Sequence, residues 1–240
     1  MSPSPKGKLY LIPSPLGEQT LFTLPAYVIE IIHELDVFVV EKAKNARRYL
    51  KSVGFEKSFD DCLFFELNKH TQPQAIPAYL EPALAGRNIG LLSDAGVPGV
   101  ADPGARLVRM AHRQNIEVDP LVGPSSILLA LMASGLNGQG FAFHGYLSPK
   151  RPDLAKDLKR LENQSARTGE TQLFIETPYR NTNVLETALQ VLSPTTLFCM
   201  AVDLTLPTQL IRTHPIMEWK RIQKPQLHKR PAVFLLLGGK

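Results

Sequence analysis

The sequence predicts an α/β protein made of two α/β domains, at residues 1–118 and 119–240. Short apolar runs alternate with segments in which apolar residues recur every three or four positions, and this alternation is typical of strands that alternate with helices. A breaker segment, Gly123-Pro124-Ser125-Ser126, then separates a first series of such elements from a second. With 240 residues, 44% of them hydrophobic, the chain is long enough for two cores.

The first series predicts a largely parallel sheet with helices on both faces, because strand and helix patterns alternate in it without interruption. One helix is predicted from the spacing of Ile76, Tyr79, Leu80, Ala83 and Leu84. The predicted strands are residues 8–12, 36–40, 63–67, 89–93 and 117–122.

The second series opens with two potential N-caps, Ser125 and Ser126, which precede an apolar helix through Ile127 to Ala133. A further helix is predicted over residues 184–192. The predicted strands are residues 173–176, 197–203, 209–212 and 232–237.

The loop after the fourth predicted strand is the most informative segment. Residues 91–104 contain three Gly, two Pro and two Asp, and a helical pattern follows at Leu107, Val108 and Ala111. A plain connection needs only about 2–6 residues. Ligands of open α/β sheets bind beyond the carboxyl ends of the strands, and glycine lets the backbone approach a ligand closely. The loop therefore predicts a ligand site, with an ordinary Gly/Pro-rich connection as the alternative.

Several familiar chemistries find no support in the sequence. It has neither the G-x-x-x-x-G-K-[ST] phosphate loop nor the G-x-G-x-x-G dinucleotide motif. Its six histidines are scattered without metal-ligand spacing, so we expect no metal. The net charge of +5 permits an anionic partner, such as RNA or a small anionic substrate, without requiring one.

The expected location is the cytoplasm, without a membrane anchor. Cys62 and Cys199 each lie in a hydrophobic run, which favours buried reduced thiols and a reducing compartment. The first residues lack the apolar core of a signal peptide, and residues 1–5 are expected to form a flexible start. The longest apolar stretch, residues 127–133, is far shorter than the roughly 18 residues of a membrane helix.

Four segments have a distinctive order and spacing: residues 9–17, residues 93–99 with 102–104, residues 123–126, and residues 174–180. Together they resemble the S-adenosylmethionine-dependent tetrapyrrole (corrin/porphyrin) methylases. Within that family the chain resembles the branch that methylates a ribose 2′-hydroxyl of small-subunit ribosomal RNA, and residues 143–147 (Phe-His-Gly-Tyr-Leu) also resemble that branch.

The resemblance implies two α/β domains with S-adenosylmethionine in the cleft between them, usually in a homodimer. The loops themselves suit this cofactor, because tight turns offer backbone groups with little side-chain bulk. Asp94 could accept from its ribose or ammonium, and Ser125 and Ser126 could bind its carboxylate at a helix N-terminus. Glu176 is either a cleft residue or a helix charge. The candidate cofactor residues are Pro15, Leu16, Gly17, Asp94, Ala95, Gly96, Val97, Pro98, Ser125, Ser126 and Glu176.

Methyl transfer to a hydroxyl benefits from a general base. The candidates are Glu41 and Asp102, although a capping or solvated acid is the alternative for Glu41 and a loop-shaping turn is the alternative for Asp102. Candidate acceptor-binding residues are Lys44, Arg47 and Arg48 on one predicted helix, which suit phosphate contacts but could also form a solvated face.

The sequence departs from the ribosomal branch on the expected acceptor side. The segment Glu41-Lys42-Ala43-Lys44 stands where that branch has Glu-Asp-Thr-Arg, and Asp203-Leu204-Thr205-Leu206 stands where it has Glu-Leu-Thr-Lys. We therefore weigh three functions. The first is methylation of a ribose in small-subunit ribosomal RNA. The second is methylation of a tetrapyrrole precursor or another small anionic acceptor. The third is a non-catalytic homologue that binds cofactor or RNA.

Overall fold

The computed structural model describes residues 5–239, which divide into two compact units on either side of the Ser125–Ser126 bond. The predicted boundary, between residues 118 and 119, lies seven residues earlier in the chain. A flexible start is expected for residues 1–5, and residues 1–4 lie outside the described residues.

The first unit contains a five-stranded, fully parallel sheet in the order β3-β2-β4-β1-β5. Its strands are β1 (Leu9–Ile12), β2 (Val37–Val40), β3 (Leu63–Glu66), β4 (Ile89–Leu92) and β5 (Val118–Pro120). Its helices are α1 (Ala26–Glu34), α2 (Ala43–Ser52), α3 (Glu81–Leu84) and α4 (Ala105–Arg113). The predicted parallel sheet and its five strands are confirmed.

Both faces of this sheet are covered, which explains why β2 reads as an uninterrupted apolar run, Val-Phe-Val-Val. Successive side chains of a strand point to opposite faces. Phe38 accordingly packs in one core with α1 and α2, whereas Val37 and Val39 pack in the other with α4. All four side chains of β2 are buried.

The predicted helix through residues 76–84 is wrong in type. The structure has a 3-10 helix over Pro73–Leu80, followed by the single α-helical turn α3. Pro77 and Pro82 lack the N–H that an α-helix needs at an interior position, so a regular α-helix cannot form across them. Ile76 and Leu80 nevertheless point into the core, as their spacing predicts.

The second unit contains a mixed sheet in the order β6-β7-β10-β8-β9, in which only the β6–β7 pair is parallel. Its strands are β6 (Phe141–Tyr146), β7 (Thr171–Ile175), β8 (Leu197–Val202), β9 (Leu210–Pro215) and β10 (Ala232–Leu237). Its helices are α5 (Ser126–Ser134), α6 (Arg151–Thr168), α7 (Asn181–Val191) and α8 (Ile216–Trp219).

Strand β6 is absent from the predicted strands for a physical reason. It is an edge strand, so its side chains are only partly buried and lack a clear apolar pattern. Gly145 adopts a left-handed φ of +64°, and the pairing with β7 shifts register between Phe143 and Tyr146. Such a bulge breaks the regular alternation on which strand prediction depends.

Two polar anchors hold the core of the second unit. Trp219 is fully buried, and its indole N–H donates to the carbonyl oxygen of Phe198 over 2.7 Å. Glu162 is also buried; its carboxylate accepts from the Thr196 hydroxyl and forms an ion pair with Lys159. Burial alone would raise the pKa of Glu162, but these hydrogen bonds outweigh it and lower the pKa.

Among residues 5–239, no helix is both long enough and apolar enough to cross a membrane. Cys62 and Cys199 are buried and unpaired, in agreement with their apolar sequence context.

Candidate active site

The loops that follow β1, β2 and β4 converge at one edge of the first sheet. Because all strands of this sheet are parallel, their carboxyl ends lie at the same edge. Ser14 follows β1, Glu41 follows β2 and Asp94 follows β4. Three segments that are far apart in sequence thereby become neighbours.

Hydrogen bonds join the loop after β1 to the loop after β4. The Ser14 N–H donates to the Gly96 carbonyl (2.8 Å), and the Gly96 N–H donates back to the Ser14 carbonyl (3.0 Å). The Ser14 hydroxyl also donates to the Ser93 carbonyl over 2.7 Å. Gly96 has a φ of +76°, and a Cβ atom there would lie 3.4 Å from Leu16. The two predicted cofactor loops of this unit, Pro15–Gly17 and Asp94–Pro98, are thus fixed side by side.

Glu41 is hydrogen-bonded directly to the second of these loops. Its Oε1 accepts from the Asp94 N–H over 3.0 Å and from the Ser93 hydroxyl over 3.4 Å. Partial burial raises the pKa of Glu41, and the negative charges of Asp94 and Asp102 raise it further against the lowering effect of the two hydrogen bonds. The carboxylate is therefore more basic than an ordinary glutamate.

Asp102 shapes the same loop from within. Its Oδ1 accepts from the Gly99 N–H over 2.7 Å and from the Gly104 N–H over 2.8 Å. Burial raises the pKa of this carboxyl group, while the two backbone donors oppose the rise. Between them Ala101 adopts a φ of +61°, a conformation that residues with a Cβ seldom adopt. This geometry favours the loop-shaping interpretation of Asp102 over a role as base.

A cavity of about 530 Å³ opens at this edge, within the range typical of small-molecule sites. One wall is the loop after β1, residues 14–21, which includes Pro15, Leu16 and Gly17. The opposite wall is formed by α2 and by the first residues of the loop after β4. These residues are Asn45, Arg48, Tyr49, Ser52, Asp94 and Ala95.

The remaining predicted residues of the β4 loop do not line the cavity. Gly96 and Pro98 are buried and Val97 is partly buried, whereas Asp94 and Ala95 are exposed. Of the predicted residues in this loop, Asp94 and Ala95 are the two that line the cavity.

Helix α2 places two residues at the cavity that sequence reasoning missed. The Asn45 amide donates to Asp94 Oδ2 over 2.7 Å, and the Tyr49 hydroxyl donates to the Pro13 carbonyl over 2.9 Å. Burial raises the pKa of Tyr49, which keeps it a neutral donor. Their spacing with Arg48 and Ser52, at three to four residues, is the sequence signal that could have identified this face.

The structure separates the three basic residues that were predicted to bind the acceptor together. Arg48 lines the cavity, whereas Arg47 lies with its guanidinium carbon 5.1 Å from the ring centre of Phe64. Lys44 is exposed and outside the cavity wall. Adjacent helical residues point about 100° apart, so Arg47 and Arg48 cannot share one face.

Three predicted cofactor residues lie at or beyond the boundary between the units. Ser125 is the last residue of the first unit, and Ser126 is the first residue of α5. Glu176 is buried directly after β7; it accepts from the Thr177 N–H over 2.6 Å and forms an ion pair with Arg180. Its Oε1 is therefore occupied by partners within its own unit.

Among the described residues, no three or more His, Cys, Asp or Glu side chains are arranged to hold a metal ion.

Comparison with known proteins matches the chain to one family over most of its length. The family model "Tetrapyrrole (Corrin/Porphyrin) Methylases" matches residues 8–219. Proteins named ribosomal RNA small subunit methyltransferase I are similar over nearly the whole chain. The relative from Vibrio cholerae is 30% identical over 96% of this chain and 77% of its own length. The relative from Haemophilus influenzae is 31% identical over 97% and 79%, and that from Escherichia coli O157:H7 is 29% identical over 97% and 77%.

Two solved structures share the fold. The methyltransferase CobJ superimposes with a TM-score of 0.63 at 21% identity, over 97% of this chain and 95% of its own. Uroporphyrin III C-methyl transferase from Thermus thermophilus gives 0.56 at 17% identity, over 96% and 97%. At these identities the likeness shows the fold alone, and it confirms the predicted class of two α/β domains.

Proposed function

Because this chain belongs to the tetrapyrrole (corrin/porphyrin) methylase family, we propose that it is an S-adenosylmethionine-dependent methyltransferase that methylates a ribose hydroxyl of small-subunit ribosomal RNA. The observation that carries the proposal is the 29–31% identity, over 96–97% of the chain, to relatives named ribosomal RNA small subunit methyltransferase I. The family predicted from the sequence motifs is confirmed, and the chain is a methyltransferase by family.

The first unit fits the cofactor chemically. Asp94 is exposed at the end of β4, where its carboxylate can accept from the ribose hydroxyls or the ammonium group. Gly96 keeps the backbone turn behind it free of side-chain bulk. In this proposal the loops Pro15–Gly17 and Asp94–Pro98 hold the cofactor. When bound, S-adenosylmethionine supplies a methyl group on a sulfonium, which is already activated for displacement.

In the proposed methyl transfer, Glu41 acts as the general base. Its Oε1 is engaged by the Asp94 N–H, whereas its Oε2 makes no hydrogen bond to the residues that the structure describes and can accept a proton from an acceptor hydroxyl. The raised pKa of Glu41 brings its basicity closer to neutral pH, where a general base is most effective. Asp102 contributes indirectly, since its Oδ1 holds the Gly99 and Gly104 amides of the loop.

The family resemblance also supports a homodimer, and a ribosomal acceptor supports a cytoplasmic location. Light scattering of the purified protein measures the oligomeric state directly, and twice the chain mass is the expected result.

The test is methyl transfer from labelled S-adenosylmethionine to undermethylated small ribosomal subunits, with large subunits as the control acceptor. Alkaline hydrolysis of the labelled RNA then reports the position, because a 2′-O-methyl group blocks cleavage of the neighbouring phosphodiester. Label in an alkali-resistant dinucleotide supports the proposal. Label in a porphyrin precursor offered in parallel, with none in RNA, contradicts it and favours the tetrapyrrole alternative. Cofactor binding without transfer to any of these acceptors favours the non-catalytic alternative.

A further inference from the structure

One cation lines the cavity between α2 and the loop after β1. Arg48 is exposed there, and its side chain makes neither an ion pair nor a hydrogen bond to any residue in the described range 5–239. Two of its basic neighbours on the helix are engaged elsewhere: the guanidinium of Arg47 lies over Phe64, and the Lys51 ammonium lies 5.9 Å from the ring centre of Phe59. The third, Lys44, is exposed and does not line the cavity. The position of Arg48 is therefore not explained by packing within the protein.

The cavity carries charges of both signs: Glu18 lies on the wall of the loop after β1, and Asp94 and Arg48 lie on the opposite wall. Asn45 is hydrogen-bonded to Asp94, whose N–H donates to Glu41 just outside the cavity lining. Arg48 lies three residues further along the helix, which is about 4.5 Å of axial rise. A ligand that combines a hydroxyl group with a nearby anion matches this arrangement, because the hydroxyl would meet the carboxylates while the anion meets the guanidinium.

We propose that this cavity is the acceptor-nucleotide pocket, in which Arg48 binds the phosphate next to the ribose that receives the methyl group. The inference rests on the proposed function and specifies its substrate site. A planar guanidinium suits a phosphate because two parallel N–H groups can donate to two of its oxygens. Tyr49 supports the pocket, since its hydroxyl ties α2 to the Pro13 carbonyl at the start of the opposite wall.

A wall shared between donor and acceptor is expected on chemical grounds. Reacting atoms must approach to about 3–3.5 Å before transfer, so the same loop has to contact both ligands. Asp94 and Ala95 line the cavity, and Gly96 joins them to the loop after β1. The residues Pro15–Gly17 and Asp94–Ala95, which line this cavity and are also assigned to the cofactor, would therefore contact both ligands.

The test compares three variants, each of which removes one arginine charge: Arg48→Gln, Arg47→Gln and Arg113→Gln. Arg113 ends α4, and this helix runs back from the carboxyl edge, so the residue lies near the edge where the strands begin. Arg48→Gln is expected to raise the KM for small ribosomal subunits by about 10- to 100-fold, the effect of losing one charge-assisted hydrogen bond pair. Its Kd for S-adenosylmethionine stays as in the unaltered protein, and Arg113→Gln changes neither quantity.

Salt dependence gives a second readout that a structural defect would not produce. Loss of one phosphate contact makes the slope of log K against log salt for subunit binding shallower by about 0.7–0.9. Arg48→Lys keeps the charge and therefore the slope, but it loses the paired geometry and raises KM by less than Arg48→Gln does.

Three results would overturn the inference. The first is an unchanged KM for Arg48→Gln in an active enzyme. The second is an equal rise for Arg47→Gln, which would assign the effect to the charge of the helix as a whole. The third is a matching loss of cofactor affinity in Arg48→Gln, which would assign the cavity to the donor. If the unaltered protein transfers no methyl group to the subunits, the proposed function fails first and the inference fails with it.

Discussion

Replacement of Glu41 by glutamine tests the proposed base with little disturbance of the fold. Glutamine has nearly the same shape, and its Oε1 can still accept from the Asp94 N–H. It cannot accept a proton at neutral pH. Since general base catalysis contributes about 10²- to 10⁴-fold, we expect kcat to fall by that factor, which corresponds to about 2.7–5.4 kcal/mol in the activation free energy.

Glu41→Ala provides the matched comparison because it also removes the anchor of the loop. The Asp94 N–H then loses its acceptor, whereas the Ser93 hydroxyl can still donate to the Ala95 carbonyl, 3.1 Å away. An unsatisfied donor at a partly exposed position costs about 1 kcal/mol, which predicts a roughly 5-fold weaker binding of S-adenosylmethionine. Glu41→Gln should leave that affinity unchanged, so the two variants separate catalysis from loop positioning.

Single-turnover methylation at several pH values gives the rate of the chemical step, and calorimetry gives cofactor affinity. In the unaltered enzyme the rate should rise with pH until Glu41 is ionised and then level off. Burial and the charges of Asp94 and Asp102 raise this pKa, so the plateau begins at a higher pH than for an ordinary glutamate. A Glu41→Gln variant with nearly full activity and an unchanged pH profile would refute the role as base.

Three further predictions concern the loops and the second unit. Asp102→Ala should lower the free energy of unfolding by about 1–3 kcal/mol and weaken cofactor binding. Asp102→Asn keeps the Oδ1 acceptor and should retain most of kcat. A large loss of kcat in the asparagine variant, with intact cofactor binding, would instead identify Asp102 as a base. Gly96→Ala should lower the free energy of unfolding by about 1–3 kcal/mol because of its positive φ, and it should also weaken cofactor binding. Gly54→Ala, with a similar φ of +75° and open space around it, should lower the free energy of unfolding alone. Equal cofactor affinities of the two variants would contradict a role for Gly96 in the cofactor site. Glu162→Gln should lower the unfolding free energy at pH 7 by about 1.5–3 kcal/mol. Because the pKa of Glu162 is lowered in the folded state, this difference from the unaltered protein should shrink as the pH falls and the carboxyl group of Glu162 protonates. A difference that stays constant with pH would contradict the prediction.

The sequence predicts the central strands β2 and β4 well because burial on both faces makes each of them a continuous apolar run. The run Val37–Val40 is apolar throughout and is bounded by polar residues, as expected of a short strand covered on both sides. The 3-10 segment and β6 escape prediction because local backbone constraints override periodicity. Pro77 prevents a regular α-helix while the apolar spacing persists, and Gly145 introduces a bulge into a half-exposed edge strand.

By itself the sequence determined the family, the α/β class and the loops that carry the site. These depend on which residues stand at fixed positions along the chain, and glycine, proline and acidic residues shape the local backbone directly. The tertiary structure alone decided which of these residues act together. Glu41 and Asp94 are 53 residues apart and meet through one hydrogen bond, because parallel strands bring their carboxyl ends to one edge. Arg47 and Arg48 are adjacent in the chain and are separated by the turn of the helix, which directs one onto an aromatic ring and the other into the cavity.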